Sequence, residues 1–333
     1  YISTENMLPD KAGVVEANSL PSTRLVQEYK EHDTLVSNIR PYFKKIWQAK
    51  HDGGCSNDVL VFQGKANVDK DFLYYILAND DFFAYSMATS KGTKMPRGDK
   101  KSIMQYELQL FDIKIQKKIV SILKLLDKKI ELNNAINNNL EQQAIAIFDN
   151  MFPNISTAEK TIGDIIIPKR GKSLLSKNAI LGSVPVVAGG LNPSTYHNTA
   201  NTVAPVLSIS ASGANAGYIS LWTMPIWSSD SSFIDSSMSN DVYFWYVLLK
   251  KRQNEIYDSQ TGSAQPHIYP QHIAAMPICD LNFNKVSNYT STVTPIFELI
   301  GHNKIENMRL ITIRDTLVPK LISGDLDVSN ISL

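Results

Sequence analysis

An internal repeat is the feature of this sequence that most restricts what the chain can fold into. Four short blocks recur in the same order, at an offset that drifts only from about 170 to about 175 residues. The matched blocks are residues 35–37 and 206–208, 72–77 and 243–248, 92–97 and 262–267, and 129–131 and 304–306. A period this long excludes a solenoid and predicts two copies of a whole domain, each followed by a helix.

Composition limits the class of protein further. The chain has 333 residues with 33 Lys plus Arg and 32 Asp plus Glu, and its formal charge of +1 argues against a histone-like polycation. The hydrophobic fraction of 43% indicates a folded chain, and the length suits about two domains. No apolar run is long enough to cross a bilayer, so we predict no membrane partner. Cys55 and Cys279 fit neither a disulfide scaffold nor a cysteine zinc finger, which favours a reducing, cytoplasmic compartment.

Each copy divides into a β-rich region and a long helix. Short apolar runs broken by Gly, Pro, Asn and Ser predict strands, with one aromatic helix among them that begins near Lys70 in the first copy and near Ser239 in the second. Residues 119–151 then contain no Gly or Pro, and their apolar positions recur in heptads until Pro153. Residues 296–317 show similar spacing.

These heptads predict a coiled coil formed by the two long helices. A lone helix cannot bury such a narrow apolar seam, although packing of each helix on its own domain is the alternative. Buried Asn133, Asn137 and Asn303 would fix the register and orientation of the pair. The predicted seam residues are Leu123, Leu126, Ile130, Asn133, Asn137, Leu140, Ile147, Leu310, Ile313 and Leu317.

Acidic residues are absent from corresponding parts of the two copies. There is no Asp or Glu from residue 34 to 51 or from residue 165 to 229, although both stretches contain Lys and Arg. Buried strands explain part of this absence, but the cations and the Ser, Thr and Asn loops favour contacts with phosphates and base edges. The predicted DNA-binding residues are Arg40, Lys44, Lys45, Lys94 and Arg97 in the first copy, and Lys169, Arg170, Lys172, Ser210, Ser212, Asn215, Gln265 and His267 in the second.

No residue set in the sequence proposes a reaction. Phosphate-binding, dinucleotide-binding and nucleophile-elbow motifs are absent, and the six histidines never pair at metal-binding spacing. Cys55 lies in a Cys-Ser-Asn-Asp run, and the second copy has Ser228-Ser229-Asp230 at the matching place, which favours a structural turn over a thiol nucleophile. We therefore predict no catalytic residue and no metal site.

Several motifs together resemble a known family. The run from Leu35 to Trp47, the run from Cys55 to Phe62 and Gly92-Thr93-Lys94-Met95-Pro96-Arg97 resemble a target recognition domain, and residues 262–267 resemble the same loop in a second such domain. Residues 122–133 are similar to the family's central conserved region, and Leu-Val-Pro-Lys-Leu-Ile-Ser-Gly-Asp at 317–325 is similar to its C-terminal counterpart. With its motifs in this order, the sequence resembles the specificity (S) subunits of type I restriction–modification systems over nearly the whole chain.

The resemblance implies an α+β fold in which two repeated α/β target recognition domains are joined by two long helices that form an antiparallel coiled coil. It assigns residues 1–112 and 153–293 to the recognition domains, and residues 113–152 and 294–333 to the helices. It also implies a non-catalytic subunit that binds double-stranded DNA, with one domain on each half of a bipartite, asymmetric target and the helices setting the spacer. Two modification (methyltransferase) subunits, which bind S-adenosylmethionine, and restriction/translocase subunits are the implied partners; this chain itself is expected to bind no cofactor.

One departure from the repeat concerns the start of the first domain. The segment from Thr161 to Val187 is typical of how such a domain begins, but its counterpart in the first copy would precede Tyr1. We therefore expect the first domain to lack its N-terminal strands. Two other functions stay open on the residues alone: an orphan coiled-coil scaffold, and a methyltransferase or nuclease with an unrecognised active site.

Overall fold

The structure is a computed structural model that describes residues 1–22, 25–157, 160–262 and 265–331. The chain forms two compact units. Unit 1 comprises Tyr1–Glu131 and Met308–Leu333, and unit 2 comprises Leu132–Asn307. Each unit therefore contains one copy of the repeated domain and a segment of each of two long helices.

Unit 1 is built from five short strands followed by helices. Its strands and α-helices before the long helix are β1 (Gln27–Tyr29), β2 (Thr34–Ser37), β3 (Ile46–Gln48), β4 (Gly53–Cys55), β5 (Val59–Phe62), α1 (Lys70–Ala78), α2 (Asp80–Ala88) and α3 (Lys100–Ile103), and a 3-10 helix (Pro41–Phe43) follows β2. Helix α1 begins at Lys70 as predicted, because the Asp69 carboxylate accepts hydrogen bonds from the backbone N–H groups of Asp71 and Phe72 at 3.0 and 3.1 Å and so caps the helix.

Strand β2 is the centre of unit 1. It pairs antiparallel with β3 on one side and with β5 on the other, while β1 and β4 form a separate antiparallel pair. Successive side chains of a strand point to opposite faces, and here both faces are covered. Leu35 packs in a cluster with Tyr29 and Trp47, whereas Val36 packs in another cluster with Leu73 of α1.

Unit 2 repeats this arrangement with additional strands. Its elements are β6 (Lys160–Thr161), β7 (Lys169–Arg170), β8 (Val184–Val187), β9 (Thr195–His197), β10 (Val206–Ser210), β11 (Ile219–Trp222), β12 (Trp227–Ser228), β13 (Ser231–Asp235), α5 (Val242–Lys251), α6 (Gln253–Asp258), α7 (Pro270–Ala274) and β14 (Pro277–Ile278). The β11-β10-β13 pairing matches β3-β2-β5 of unit 1, and β7 adds to its β13 edge. Helix α5 begins at Val242, close to the predicted position, and its residues from Val242 to Leu249 are all buried.

Two long helices contribute to both units: α4 (Ile113–Met151) and α8 (Phe283–Ser323). Asp112 caps the start of α4, because its carboxylate accepts the backbone N–H of Lys114 at 2.8 Å. Gly324, with φ +82°, follows the end of α8 and adopts the left-handed conformation common at helix C-termini. No described helix is both long and apolar enough to cross a membrane.

In unit 1 the two helices pack through an apolar seam. Ile119, Val120 and Leu123 of α4 share one cluster with Val318 and Leu321 of α8. Asp127 of α4 forms an ion pair with Arg314 of α8 at 2.9 Å. The predicted helix-on-helix pairing is therefore present in this unit, and the same cluster includes Phe72 of α1, so the helices also pack on their own domain.

In unit 2 the pairing begins with buried asparagines. Asn133 Nδ2 donates to Asn307 Oδ1 at 2.8 Å, and Asn303 Nδ2 donates to Asn137 Oδ1 at 2.8 Å. As the α4 number rises the α8 number falls, so the two segments run antiparallel. The predicted asparagine contribution to register is consistent with these pairs, and Asn307 is a partner that the sequence did not single out.

Two features of α8 differ from the sequence prediction. The helix begins at Phe283, earlier than residue 294, because the buried Val286, Tyr289 and Val293 hold the first turns against the core and the helix continues through Pro295. The prediction that Ile313 lies in the seam is wrong, since this residue is 48% exposed. Buried or half-buried α8 positions instead recur in a heptad that comprises Val286, Val293, Ile300, Asn307, Arg314 and Leu321.

The other predicted seam residues differ in burial. Leu123, Asn133 and Asn137 are buried, and Leu126, Ile130, Leu140, Ile147, Leu310 and Leu317 are half-buried. The predicted fold class is thereby confirmed: two repeated domains of mixed helix and sheet, with two long helices that pair within each unit.

Candidate nucleic-acid interface

In unit 1 a glycine loop closes next to the end of strand β2. The backbone N–H and C=O groups of Lys91 and Arg97 bond each other at 2.8 and 2.9 Å, and Gly92 between them has φ +91°, which glycine adopts readily. Arg97 also bridges Ile39, just beyond β2, and the Arg40 N–H donates to the Pro96 carbonyl at 2.8 Å. The loop is therefore fixed to the sheet by main-chain bonds, which do not depend on its side chains.

Unit 2 builds its loop in the same way. Thr261 and His267 exchange backbone bonds at 3.0 and 2.8 Å, Gly262 has φ +94°, and His267 bridges Ser212 beyond strand β10. The predicted correspondence of Arg97 with His267 is therefore confirmed by the main chain. Ser263 and Ala264, also part of the predicted loop, lie outside the described residues.

The main-chain bonds of the two glycine loops correct the sequence alignment of strand β2 with strand β10. The Gly98 N–H donates to the Asn38 carbonyl, and the Ile268 N–H donates to the Ala211 carbonyl, so Asn38 matches Ala211. The sequence match of residues 35–37 with 206–208 would align Asn38 with Ile209, two residues earlier. That sequence match is wrong here because a shift of two residues keeps the same alternation of apolar side chains, whereas the main-chain bonds of the loop occur in one register only.

Three predicted cations of unit 1 surround the turn after β2. Arg40 and Lys44 have φ of +51° and +49°, an uncommon conformation for residues other than glycine. Lys44 Nζ lies 2.8 Å from Asp80 Oδ2, and Lys45 Nζ donates to the Thr4 carbonyl at 2.6 Å. Burial, followed by the charge of Arg40, lowers the pKa of Lys45. Lys44 and Lys45 are thus partly engaged within the protein.

The two cations on the glycine loop of unit 1 are more open. Lys94 and Arg97 are both exposed. Arg97 Nη2 contacts both oxygens of Asp58, at 2.9 and 3.2 Å, while 57% of the arginine side chain stays exposed. These two residues are the most accessible of the predicted unit 1 contacts.

The predicted cations of unit 2 lie on and beside β7. Lys169 and Arg170 form this strand, which pairs with β13 at the sheet edge, and Lys172 follows it. All three side chains are exposed. Arg170 Nη2 lies 2.6 Å from Asp230 Oδ1, so an aspartate again holds an exposed arginine.

The predicted polar contacts of unit 2 divide by burial. Ser212 and Asn215 are half-buried near the end of β10, and the Ser212 hydroxyl donates to Asp230. Ser210 is only 4% exposed and lies within β10, so it has no surface for a base contact and we do not retain it as one. Its burial follows from the corrected alignment, which places it in the strand rather than beyond it.

The glycine loop of unit 2 carries a polar and aromatic surface. Gln265 is exposed, and the His267 ring stacks on the exposed Tyr269 ring with centroids 6.0 Å apart and planes 17° from parallel. Sequence reasoning missed Tyr269. Its position two residues after His267 is a signal that could have identified it, since exposed aromatic rings next to cationic loops can contact bases.

Sequence reasoning also missed an exposed apolar group after β7. Leu175, Ile180 and Leu181 are exposed, and Leu181 is 93% exposed. Lys177 lies among them and is exposed too. Apolar side chains next to cations can contact thymine methyl groups in the major groove, so this segment is a further candidate for the interface.

Cys55 is an internal residue rather than a reactive one. It lies in strand β4 instead of the predicted turn, and the turn is formed by the residues after it. Burial raises the pKa of its thiol to about 11, which disfavours the thiolate that a nucleophile requires.

Comparison with known proteins finds relatives of the class that the sequence motifs resemble. Residues 30–142 match the model of the type I restriction modification DNA specificity domain. The type I restriction enzyme MjaIX specificity subunit of Methanocaldococcus jannaschii is 25% identical over 308 residues, covering 80% of this chain and 71% of the relative. The HindI specificity subunit of Haemophilus influenzae is 30% identical over 161 residues, covering 46% of this chain and 35% of the relative.

A solved structure supports the fold. The S subunit of a type I restriction–modification system from M. genitalium aligns over 99% of this chain and 92% of its own length, with a TM-score of 0.52 and 20% identity. The resemblance to the specificity subunits of type I restriction–modification systems that the sequence predicted is confirmed. Members of this family are DNA-recognition rather than catalytic components of their complexes, which agrees with the role predicted from the sequence.

Proposed function

We propose that each unit recognises one half of a bipartite, asymmetric site in double-stranded DNA. The observation that carries this proposal is the repeated framework: the same strand, glycine loop and main-chain bonds occur twice, with different side chains on them. Arg97 stands where unit 2 has His267, and Ile39 stands where unit 2 has Ser212. A shared scaffold with different side chains suits two half-sites of different sequence.

The electrostatic properties of the predicted surface support the choice of DNA. Lys94, Lys169 and Lys172 are all exposed on segments poor in acidic residues. Such cations bind phosphates and release counterions, so binding should weaken steeply as salt rises. Binding of the chain with its modification partner to duplex DNA, measured at several salt concentrations, tests this; affinity that does not depend on salt would contradict it.

We propose further that α4 and α8 set the spacing between the half-sites. Deleting residues 130–136 together with the facing residues 304–310 removes one heptad from each helix and keeps the seam pattern. Seven residues correspond to about 10 Å of helix, or about three base pairs of duplex. The preferred spacer should shorten by about that amount in a methylation assay, and an unchanged spacer would contradict the role of the helices.

The partners of the chain are part of the proposal. Two modification subunits would bind S-adenosylmethionine and methylate adenine, restriction/translocase subunits would join for cleavage, and the complex would act in the cytoplasm. Leu125 and Leu132 on α4 are exposed, and such apolar side chains on a long helix suit a protein partner. Methyl transfer from labelled S-adenosylmethionine should require the modification subunit; transfer by the pure chain would instead favour an unrecognised enzyme, and no footprint with the partner would favour a scaffold.

A further inference from the structure

The two units hold an exposed arginine against an aspartate at the same place in the fold. The backbone carbonyl of Asp58 accepts the N–H of Asn38, and that of Asp230 accepts the N–H of Ala211, so the two aspartates occupy equivalent positions. Asp58 binds Arg97, and Asp230 binds Arg170. Both aspartates therefore lie beside the surface that we propose contacts DNA.

The arginines reach these aspartates from different parts of the repeat. Arg97 belongs to the glycine loop, whereas the residue at that position in unit 2 is His267, whose ring stacks on Tyr269. Arg170 instead comes from β7, at the sheet edge. The common element is the aspartate, and the guanidinium is supplied from a different direction in each unit.

The carboxylates are already occupied. Both oxygens of Asp58 contact Arg97 Nη2, while Asp230 uses Oδ1 for Arg170 and Oδ2 for the Ser212 hydroxyl. Each carboxylate thus already has a guanidinium partner within the protein. Each guanidinium, in contrast, contacts its aspartate through Nη2 alone, and an arginine has five N–H donors.

Stability does not explain these pairs. The side chains are 57% and 33% exposed for Arg97 and Asp58, and 41% and 39% for Arg170 and Asp230. Ion pairs as exposed as these contribute little to folding. An aspartate that restricts an exposed guanidinium does, however, prepare it for a planar, two-point contact, because less side-chain freedom is lost on binding.

From this geometry we infer that Asp58 and Asp230 are positioning residues that orient Arg97 and Arg170 for guanine recognition, one guanine in each half-site. Arginine contacts guanine O6 and N7 through two donors in the major groove. The inference rests on the proposed bipartite function and adds to it the base that each unit recognises and the residue that prepares the contact.

The test uses the full chain assembled with its modification subunit. The methylated motif in DNA from cells carrying the wild-type complex first gives the target and the guanines in each half. Competition binding then measures wild type, Asp58→Asn and Asp230→Asn on duplexes with each base pair at those positions. Asp58→Asn should reduce the preference for guanine at one position of one half-site by about 10-fold, and Asp230→Asn should do so in the other half.

A base analogue separates positioning from general stabilisation. 7-Deazaguanine lacks N7, so placing it at the recognised position should weaken wild-type binding but have little further effect on the matching aspartate variant. Arg97→Lys and Arg170→Lys keep the charge without the two-point geometry and should show the same insensitivity. The inference would be overturned if the affinity losses caused by the aspartate substitution and by 7-deazaguanine simply added. A motif that is unchanged in every variant, or a half-site without guanine, would also overturn it.

The outcome also distinguishes this inference from the proposed function. If the wild-type complex binds no specific duplex, the bipartite proposal itself fails, and the guanine assignment fails with it. If wild type recognises a bipartite motif but the variants lose affinity equally for all sequences, only the positioning role is contradicted.

Discussion

Unit 1 and unit 2 place different side chains on the same scaffold, and their cores differ as well. In unit 1 the apolar side chains fall into separate clusters, two around β2 and one around the paired helices. In unit 2 the main cluster is continuous from the sheet through α5 to α4 and α8 and contains the aromatic contacts around Phe148, Phe244 and Tyr289, while a smaller cluster lies around Val206 and Phe233. The comparison shows that the repeat fixes the strand and loop geometry, while packing and surface chemistry diverge.

The largest expected difference lies in the aromatic cores. Phe244 packs within about 6 Å of several rings, among them Phe148 and Phe152, whereas the ring nearest Phe72 is Phe111. Both side chains are fully buried. We expect Phe244→Ala to lower the free energy of unfolding by about 5 kcal/mol and Phe72→Ala by about 3 kcal/mol, because the denser aromatic cluster loses more contacts. Amide hydrogen exchange resolved by unit checks this, and a larger loss for Phe72→Ala would contradict the comparison.

The next largest effect on the free energy of unfolding should come from a tyrosine–carboxylate hydrogen bond that occurs in both units. Tyr75 donates to Asp127 at 2.6 Å, and Tyr246 donates to Glu141. Asp127 also forms an ion pair with Arg314 at 2.9 Å, whereas in the described part of the chain Glu141 hydrogen-bonds Tyr246 and only feels the charge of Lys304 without a direct ion pair. Tyr246→Phe should therefore cost about 2 kcal/mol of unfolding free energy and Tyr75→Phe about 1 kcal/mol.

The matched control for that pair is Glu141→Gln. In its background, Tyr246→Phe should cost less than in the wild-type chain, because the hydroxyl then bonds a neutral amide. Urea unfolding followed by circular dichroism measures each variant. Equal costs for the two tyrosines would show that Arg314 does not compensate Asp127.

High pH should weaken unit 1 through a tyrosine that the repeat does not share with unit 2. Burial, followed by the charge of Asp127, raises the pKa of Tyr74 to about 12 from its ordinary value near 10. Because the folded-state pKa is raised, this group's contribution is fully present below pH 10 and is lost as pH rises through 10 to about 12. The position that the sequence repeat matches to it in unit 2 is Trp245, which does not titrate.

Tyr74→Phe tests this contribution directly. The variant should lose less unfolding free energy than the wild-type chain between pH 10 and 12, as measured by urea titrations at fixed pH steps. Parallel losses in the two chains would show that Tyr74 ionises as easily in the folded state as in the unfolded one.

The smallest effect concerns single cations on the surface. Lys94→Ala should reduce the slope of log affinity against log salt by about one, whatever the target sequence. Lys44→Ala should reduce it by less, because Lys44 already lies 2.8 Å from Asp80. Fluorescence titrations of duplex DNA at several salt concentrations compare the two, and equal reductions would show that Lys44 leaves Asp80 when DNA binds.

The sequence predicted the repeat, the long helices and the paired glycine loops because each leaves a local or periodic pattern. Heptads revealed most of the seam, and glycine with a following proline revealed the loops. The prediction of Ile313 as a seam residue and the predicted start of α8 at residue 294 were wrong, because contacts with the rest of the fold decide which face of a helix is buried and where the helix begins. The buried Val286 and Val293 keep α8 helical before Pro295.

The candidate site was harder to predict than the fold. Asp58 and Asp230 were seen only as parts of a turn, since their roles depend on arginines distant in sequence. The burial of Ser210 depends on a strand register that apolar alternation does not fix. Exposed Leu181 carries no sequence signal, because an apolar residue in a loop is equally consistent with burial.

An exchange of recognition domains tests the central claim most directly. Residues 152–282, which lie between α4 and α8, would be replaced by the corresponding segment of another specificity subunit, and the methylated motif would be determined in cells that also carry the modification subunit. We predict that one half of the bipartite motif changes to that of the donor while the other half and the spacer stay the same. A change in both halves, or in neither, would contradict the assignment of one half-site to each unit.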